Sequence, residues 1–332
     1  MRSLLREGLA LEWQQVFPHI ASHSIASVYF GGGTPSLFGP EGIAPVLERI
    51  PISPQTEITI EANPEECTLS LLKSFRDLGI NRISFGVQSL DDSSLQTLGR
   101  LHSARKAKSA LFDAAEAGFQ NISIDLMFDL PDQTEESFRR TLNELSALPI
   151  QHVSLYNLTV EPHTVFFKQK IKPLSGERSV RLLNMAVDKL ESLGFYRYEI
   201  SAFAKPGFAS IHNTGYWTGR PFWGLGPSAF SFWNGERFRN VSHLHRYVRL
   251  LKEGKSPIDF REKLPSPADA QELLAIGLRR LEGIPLSAVP PISWPSIEKL
   301  IRQDLLEKTD ERLCLTKQGL LFYDTVATEL IG

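Results

Sequence analysis

The chain has 332 residues, 22% of them charged, and its 36 basic and 38 acidic side chains leave a net charge of -2. That balance argues against a surface built to hold nucleic acid by charge, while 42% hydrophobic residues supply core for one large α/β domain with an appended module, or for two ordinary domains. No apolar run approaches a bilayer span, Arg2, Arg6, Glu7 and Glu12 stand where a signal peptide would be apolar, and two isolated cysteines, Cys67 and Cys314, suit a reducing cytoplasm better than a disulfide framework.

Residues 2–16 have the spacing of an amphipathic helix with no preceding strand. A helix that feeds the first strand of a parallel sheet normally follows another strand, so the expectation is that one N-terminal βα-type segment is missing from this sequence. Strand patterns follow at 27–31, 57–62, 82–88, 121–128 and 152–160, with helical patterns between them at 40–49, 69–78, 103–117 and 135–148. Gly79 and Gly118 mark turns into the next strand. Such alternation implies right-handed crossovers and a parallel sheet. A further helix at 176–192 leads into an aromatic, strand-like stretch at 195–203. Beyond residue 205 the composition shifts to an irregular Gly, Pro and Trp-rich stretch at 212–233, followed by helical pattern and a proline-bounded linker. The chain closes with helix at 268–281 and 297–306, a short hairpin at 308–315 and helix at 316–330, like part of a winged-helix module. The segments by character are 1–205, 206–265 and 266–332.

Polar residues stand at the ends of the apolar strand runs, where a parallel barrel opens its mouth. Gly31-Gly32-Gly33-Thr34-Pro35 follows the first strand, and its glycines permit backbone N–H groups to turn toward a carboxylate or phosphate. A tight βα turn would use the same residues. Glu61 offers a carboxylate to hydroxyls or to a rim salt bridge, and Gln88 offers an amide that donates and accepts. Arg100 has the fork geometry for a ligand carboxylate and also the look of a solvated surface arginine. Asp125 interrupts an apolar run and needs a ligand or an internal partner, because an unpaired buried carboxylate is costly. In His212-Asn213-Thr214-Gly215-Tyr216-Trp217, the histidine could ligate iron while Tyr216, Trp217, Trp223 and Trp233 offer flat faces, although a histidine beside aromatics is more often packing.

The ordered strings GGGTPS, EANPE, GVQS, LGRLH, IDLMFDLPDQT, YNLTVEPHT and HNTGYW resemble the radical S-adenosylmethionine (SAM) superfamily, in the branch that contains HemW-like haem chaperones and oxygen-independent coproporphyrinogen III oxidases. The resemblance runs from about Val28 to the C-terminal module, and it is the order of the strings that makes it specific. It implies an incomplete (β/α)6 barrel with SAM at its mouth. Gly32, Gly33 and Thr34 would meet the methionine part, Glu61, Gln88, Arg100 and Asp125 would hold the rest, and Thr159 and Phe230 are further contacts. His212, Asn213 and Tyr216, in the HNxxYW string, would be haem-site residues and favour the chaperone-like branch, which passes haem to an apo-haemoprotein in the cytoplasm, with peripheral membrane association through that acceptor. The oxidase reading, radical decarboxylation of propionates, is the enzyme alternative, and a barrel with a nucleic-acid-binding winged-helix tail is the non-family one. Two departures stand out. Asp129 occupies a family glycine position, and no CxxxCxxC motif precedes GGGTP, so this chain is expected to carry no 4Fe–4S cluster and not to cleave SAM.

Overall fold

A computed structural model describes residues 1–162, 165–168 and 176–332. The end of the YNLTVEPHT string, 163–164, lies outside the described residues. The chain opens with α1 (Arg2–Ile20), then β1 (Ser27–Phe30), α2 (Pro40–Leu47), β2 (Glu57–Ala62), α3 (Leu69–Asp77) and β3 (Arg82–Gln88). Next come α4 (Asp92–Thr97), α5 (Ala104–Glu116), β4 (Asn121–Phe128), α6 (Glu135–Glu144), β5 (His152–Asn157), α7 (Val165–Lys168), α8 (Gly176–Ser192), β6 (Tyr196–Glu199) and β7 (Ala202–Ala204). The remainder is α9 (Ile211–Trp217), β8 (Phe230–Trp233), β9 (Glu236–Asn240), α10 (Leu244–Lys252), β10 (Ile258–Glu262), α11 (Ala268–Gly277), β11 (Ile284–Pro285), α12 (Trp294–Arg302), β12 (Leu306–Lys308), β13 (Arg312–Leu315), α13 (Lys317–Leu321) and α14 (Tyr323–Ile331). Packing gathers Ser27–Pro40 with Glu57–Ser210 in one unit, and Met1–Ala26, Glu41–Thr56 and Ile211–Gly332 in another. It therefore cuts across the segments 1–205, 206–265 and 266–332, because α1 and α2 belong with the C-terminal third.

The first unit is a seven-stranded sheet in the order β1-β2-β3-β4-β5-β7-β6, with β1 to β5 parallel. This is the incomplete parallel barrel that the sequence implies. Where a sixth parallel strand would stand, the stretch at 195–203 turns back on itself as the β6–β7 hairpin, and β7 runs antiparallel to β5. Cα partners across a sheet share a face, so the register divides the side chains cleanly. One face carries the row Phe30, Ile60, Ile83 and Ile122, and the other carries Glu61, Ser84, Ser123 and His152. Polar residues are thus not confined to strand ends: they run the length of one face, from Glu57, Arg82 and Asn121 at one end to Asp125 toward the other, while a register shift after Phe85 pairs Gln88 with Leu126.

Buried helix positions recur at three and four residues, as in Leu72 and Phe75 of α3, Ala107, Ala110, Leu111 and Ala114 of α5, Phe138 and Leu142 of α6, and Leu182, Ala186 and Leu190 of α8. Each larger apolar side chain so buried contributes on the order of 1.5–3 kcal/mol. Ser103 accepts from Lys106 N–H at the start of α5, and Thr134 and Ser137 form a reciprocal capping box on α6.

The polar face must satisfy itself where it is closed to water. His152 bonds Ser123 Oγ through Nδ1 at 2.8 Å and Tyr198 Oη through Nε2 at 2.9 Å. Tyr198 Oη accepts from Ser210 N at 3.3 Å, Ser210 Oγ donates to Glu57 at 3.4 Å, and Arg82 lies 3.9 Å from Glu57 while donating to Asn121 at 3.0 Å.

In the second unit, Glu12 of α1 is 2% exposed and accepts hydrogen bonds from Gly226 N at 2.7 Å, Asn240 Nδ2 at 2.5 Å and Tyr247 Oη at 2.5 Å. Burial raises its pKa even so. A Cβ at Gly8 would lie 2.6 Å from the Tyr247 ring, so a glycine is what lets α1 approach α10 this closely. The stretch at 212–233, read from sequence as irregular, begins with helix α9 and ends with β8, and the segment after it, read as helical, holds α10 but also β9 and β10, which complete the antiparallel sheet β10-β9-β8. Its signal was Asn234-Gly235, both at positive φ (52° and 72°), the residue pair of a two-residue hairpin turn between β8 and β9. At the C-terminus a β11-β13-β12 sheet with α12, α13 and α14 gives the winged-helix-like module that the sequence suggested.

His152 is fully buried, and desolvation, with the Arg82 charge adding, holds its pKa well below the usual 6.5. Protons then bind the unfolded chain but not the folded one as pH falls through 6.5, a loss of up to about 1.4 kcal/mol per pH unit. Urea unfolding should show stability declining from pH 7 to pH 5.5, with a shallower decline for His152→Gln; equal slopes would remove His152 as the cause.

Candidate functional site

The Gly31–Thr34 turn follows β1, and Glu61 lies near the C-terminal end of β2. Glu61 accepts from Tyr29 Oη at 2.9 Å and from Gly32 N at 3.2 Å, so one carboxylate ties the glycine turn to the inner face of the sheet. A Cβ at Gly31 would sit 2.8 Å from the Tyr29 ring, which requires glycine there. Gly32 and Gly33 have φ of 79° and 63°, and a Cβ at either would meet nothing within 4 Å, so this side of the turn is open to a ligand. Thr34 Oγ1 accepts from Asn63 Nδ2 at 3.3 Å.

Gln88 ends β3 at a left-handed φ of 65° and is 9% exposed. Its amide nitrogen and Asn63 Oδ1 lie 3.2 and 3.3 Å from where a Cβ on Gly86 would be, which places both amides beside that glycine. Asp125 has its pKa pushed up to about 6 by burial, with the Glu61 charge adding and the Ser154 hydrogen bond, Arg82 and Arg100 opposing. Arg100 is thus close enough for its charge to reach Asp125. Tyr156, across from Met127, is pushed up to about 12 by burial and then by Asp125.

Of the residues picked from sequence, Gly32, Gly33, Thr34, Glu61, Gln88, Arg100 and Asp125 converge in the first unit. Thr159 is exposed in the loop after β5 and makes none of these contacts. Phe230 belongs to the second unit, where it is 51% exposed beside Phe260 and under the Arg239 guanidinium. Tyr29, Asn63, Ser154 and Tyr156 were not picked, although Tyr29, Ser154 and Tyr156 follow from the two-residue alternation that places Glu61 and Asp125. The combination of acidic, cationic and open backbone donor groups suits a zwitterionic ligand with hydroxyls.

His212, Asn213 and Tyr216 fall on α9 in the second unit. His212 Nε2 pairs with Tyr216 Oη at 2.9 Å, one helical turn away, and Tyr216 meets Phe222 edge-on at 4.7 Å. Trp217 lies under the Arg279 guanidinium at 4.3 Å. Among the described residues no group of three His, Cys, Asp or Glu side chains could hold a metal ion, and the Cys67 thiol, buried, is pushed up to about 12.

Residues 6–145 match the family model of the radical SAM superfamily, and residues 264–322 match that of the HemN C-terminal domain. The chain is 32% identical to the heme chaperone HemW of Bacillus subtilis, over 93% of this chain and 86% of that protein. It is 31% identical to HemW of Mycobacterium tuberculosis, over 98% and 85% respectively. Its fold is similar to that of the Escherichia coli coproporphyrinogen III oxidase HemN, a radical SAM enzyme, with a TM-score of 0.85 at 21% identity over 99% of this chain and 83% of that one. With this identity sustained over nearly the whole of both chains, and the polar strand ends of the radical SAM barrel in place, the protein belongs to the HemW family of the radical SAM superfamily.

Proposed function

We propose that this protein is a haem chaperone that binds SAM on its parallel sheet, carries haem on its second unit and passes the haem to an apo-haemoprotein in the cytoplasm, at a membrane surface where the acceptor is membrane-bound. The observation that carries the SAM half is the convergence of an open glycine turn, two carboxylates, an amide and an arginine at one end of the sheet. SAM has a matching set of groups: a carboxylate for Arg100, an ammonium and a sulfonium for Asp125, hydroxyls for Glu61 and Gln88, and a backbone able to meet Gly32, Gly33 and Thr34. Thr159 and Phe230 are secondary candidates. His212, Asn213 and Tyr216 mark the haem-carrying unit. No helix among the described residues is long and apolar enough to cross a membrane.

The relatives in name act on haem, and the HNxxYW string stands with them, so the chaperone reading is preferred to the oxidase reading. Purified protein should bind hemin saturably, seen as a Soret shift, and a version extended at its N-terminus by a CxxxCxxC segment and loaded with a cluster should leave coproporphyrinogen III unchanged; decarboxylation of coproporphyrinogen by that version would sink the reading.

SAM should bind without being cleaved. Asp125 is protonated below about pH 6, so its attraction for the cationic groups of SAM is lost as pH falls through that value. Calorimetry should show affinity dropping between pH 7 and pH 5, with the pH dependence flattened in Asp125→Asn. Removing the guanidinium in Arg100→Ala should weaken binding about tenfold or more, the size of a lost charge-assisted bond. An unchanged titration would take Arg100 out of the site.

The residues present do not fit a 4Fe–4S cluster, since two cysteines in separate units, both with a thiol pKa raised by burial, do not make a ligand set. No step of the proposed function runs through one. Anaerobic reconstitution of this 332-residue chain with iron and sulfide should yield no cluster absorption; stoichiometric iron and sulfide with that absorption would overturn the expectation.

A further inference from the structure

Helix α9, which carries the HNxxYW string, ends in a turn that decides what lies against it. Gly219 has a φ of 67°, its N–H donates to Tyr216 O at 3.1 Å, and Arg220 N donates to Gly215 O at 2.9 Å. This is the reversed helix end that a left-handed glycine permits, and it folds residue 220 back over residue 215. Such ends often bring two apolar side chains together at those positions. Here they hold an arginine and a glycine. A Cβ at Gly215 would fall on Arg220 Nη2 and lie 2.7 Å from both Cζ and Nε, so the guanidinium rests on the helix where a side chain would otherwise stand. Glycine is among the poorest residues for a helix interior, and this close seat is what it permits.

The seat puts a cation beside the histidine of the string. Gly215 and His212 are three residues apart and so are neighbours on the helix surface. Arg220 Nη2 donates at 2.5 Å to Ile211 O, the carbonyl of the peptide that leads into His212. Arg220 is half-buried; among the described residues no carboxylate stands within ion-pair distance of it, and Ile211 O is the one acceptor of its side chain. A guanidinium has five N–H donors, so most of this fork is uncommitted. His212 Nε2 and Tyr216 Oη pair at 2.9 Å on the same helix. Haem joins a flat apolar macrocycle to two propionate carboxylates, and a carboxylate is the group that a held guanidinium recognises best. We propose that Arg220, seated on Gly215, binds a haem propionate and so sets how the macrocycle lies against the HNxxYW helix. This rests on the haem-carrying reading above.

Titration of the full chain with hemin and, separately, with hemin dimethyl ester, in which both propionates are capped, tests the assignment. The parent should prefer hemin to the ester by about tenfold or more, the size of a lost charge-assisted bond. Arg220→Gln should weaken hemin by that factor and bind the ester as the parent does, so that the preference disappears. Gly215→Ala should do the same, because its methyl displaces the guanidinium, and combining the two substitutions should cost nothing further. If Arg220→Gln unfolds, as dichroism would show, Gly215→Ala gives the same reading from a better helix former. The proposal is overturned if the parent binds hemin and ester alike, if Arg220→Gln keeps the preference, or if hemin and ester affinities fall together, as loss of packing would cause. In each of those cases the haem-carrying reading stands. A parent chain that binds neither ligand overturns that reading and the proposal with it.

Discussion

Strict alternation along β2 to β5 is the constraint on which the rest of the first unit depends. Each strand contributes apolar residues to one face and polar residues to the other, and the parallel register aligns them into rows, with Ile60, Ile83 and Ile122 on one side and Glu61, Ser84 and Ser123 on the other. The apolar rows are buried and drive folding. The polar rows must then find partners inside the fold or remain open to a ligand, because a desolvated polar group left alone costs more than a paired one gains. Around His152, Tyr198, Ser210 and Glu57 the side chains close on each other. At the other end, the same enclosure raises the pKa of Asp125 toward neutrality, where a cationic ligand would find a carboxylate already partly stripped of water.

A carboxylate that accepts a glycine N–H appears in both units. Glu61 holds Gly32, and Glu12 holds Gly226 while also accepting hydrogen bonds from Asn240 and Tyr247. In each case a side chain on a regular element fixes a loop whose own backbone has too much freedom to fix itself. Gly226 begins the segment that ends at Phe230, so α1 governs the start of that loop through one buried side chain. Glu12 is raised rather than lowered in pKa, which means desolvation outweighs its hydrogen bonds.

The aromatic region shows how a motif and a site can separate. Read along the chain, HNxxYW and the later tryptophans form one patch. In three dimensions Tyr216 faces Phe222, Trp217 lies under Arg279, and Trp223 and Trp233 turn toward histidines more than 180 residues earlier. A motif continuous in sequence is thus divided between two surfaces of the same unit.

Local pattern determined most of the strands and long helices of the first unit, because a strand's period of two and a helix's period of 3.6 are written in successive side chains, while short α4 and the end of β5 at Asn157 were not read from it. It also singled out Gly32, Glu61, Gln88 and Asp125 as candidates from their places on or just after strand runs, and Arg100 from the LGRLH string. Alternation puts Tyr29 on the polar face, but sequence could not determine that it would bond Glu61 or that Asn63 would bond Thr34, since those contacts join segments about 30 residues apart. Nor could it show that residues 195–203 would reverse as a hairpin, or that a stretch rich in glycine, proline and tryptophan would hold α9 and a sheet edge, because there the punctuating residues outnumber the periodic ones. The pairing of His19 with Trp223 and of Glu12 with Gly226 was decided by tertiary structure alone: both join the first helix to residues about 200 positions later, a distance over which no local spacing carries information and only the packing of α1 brings the groups together.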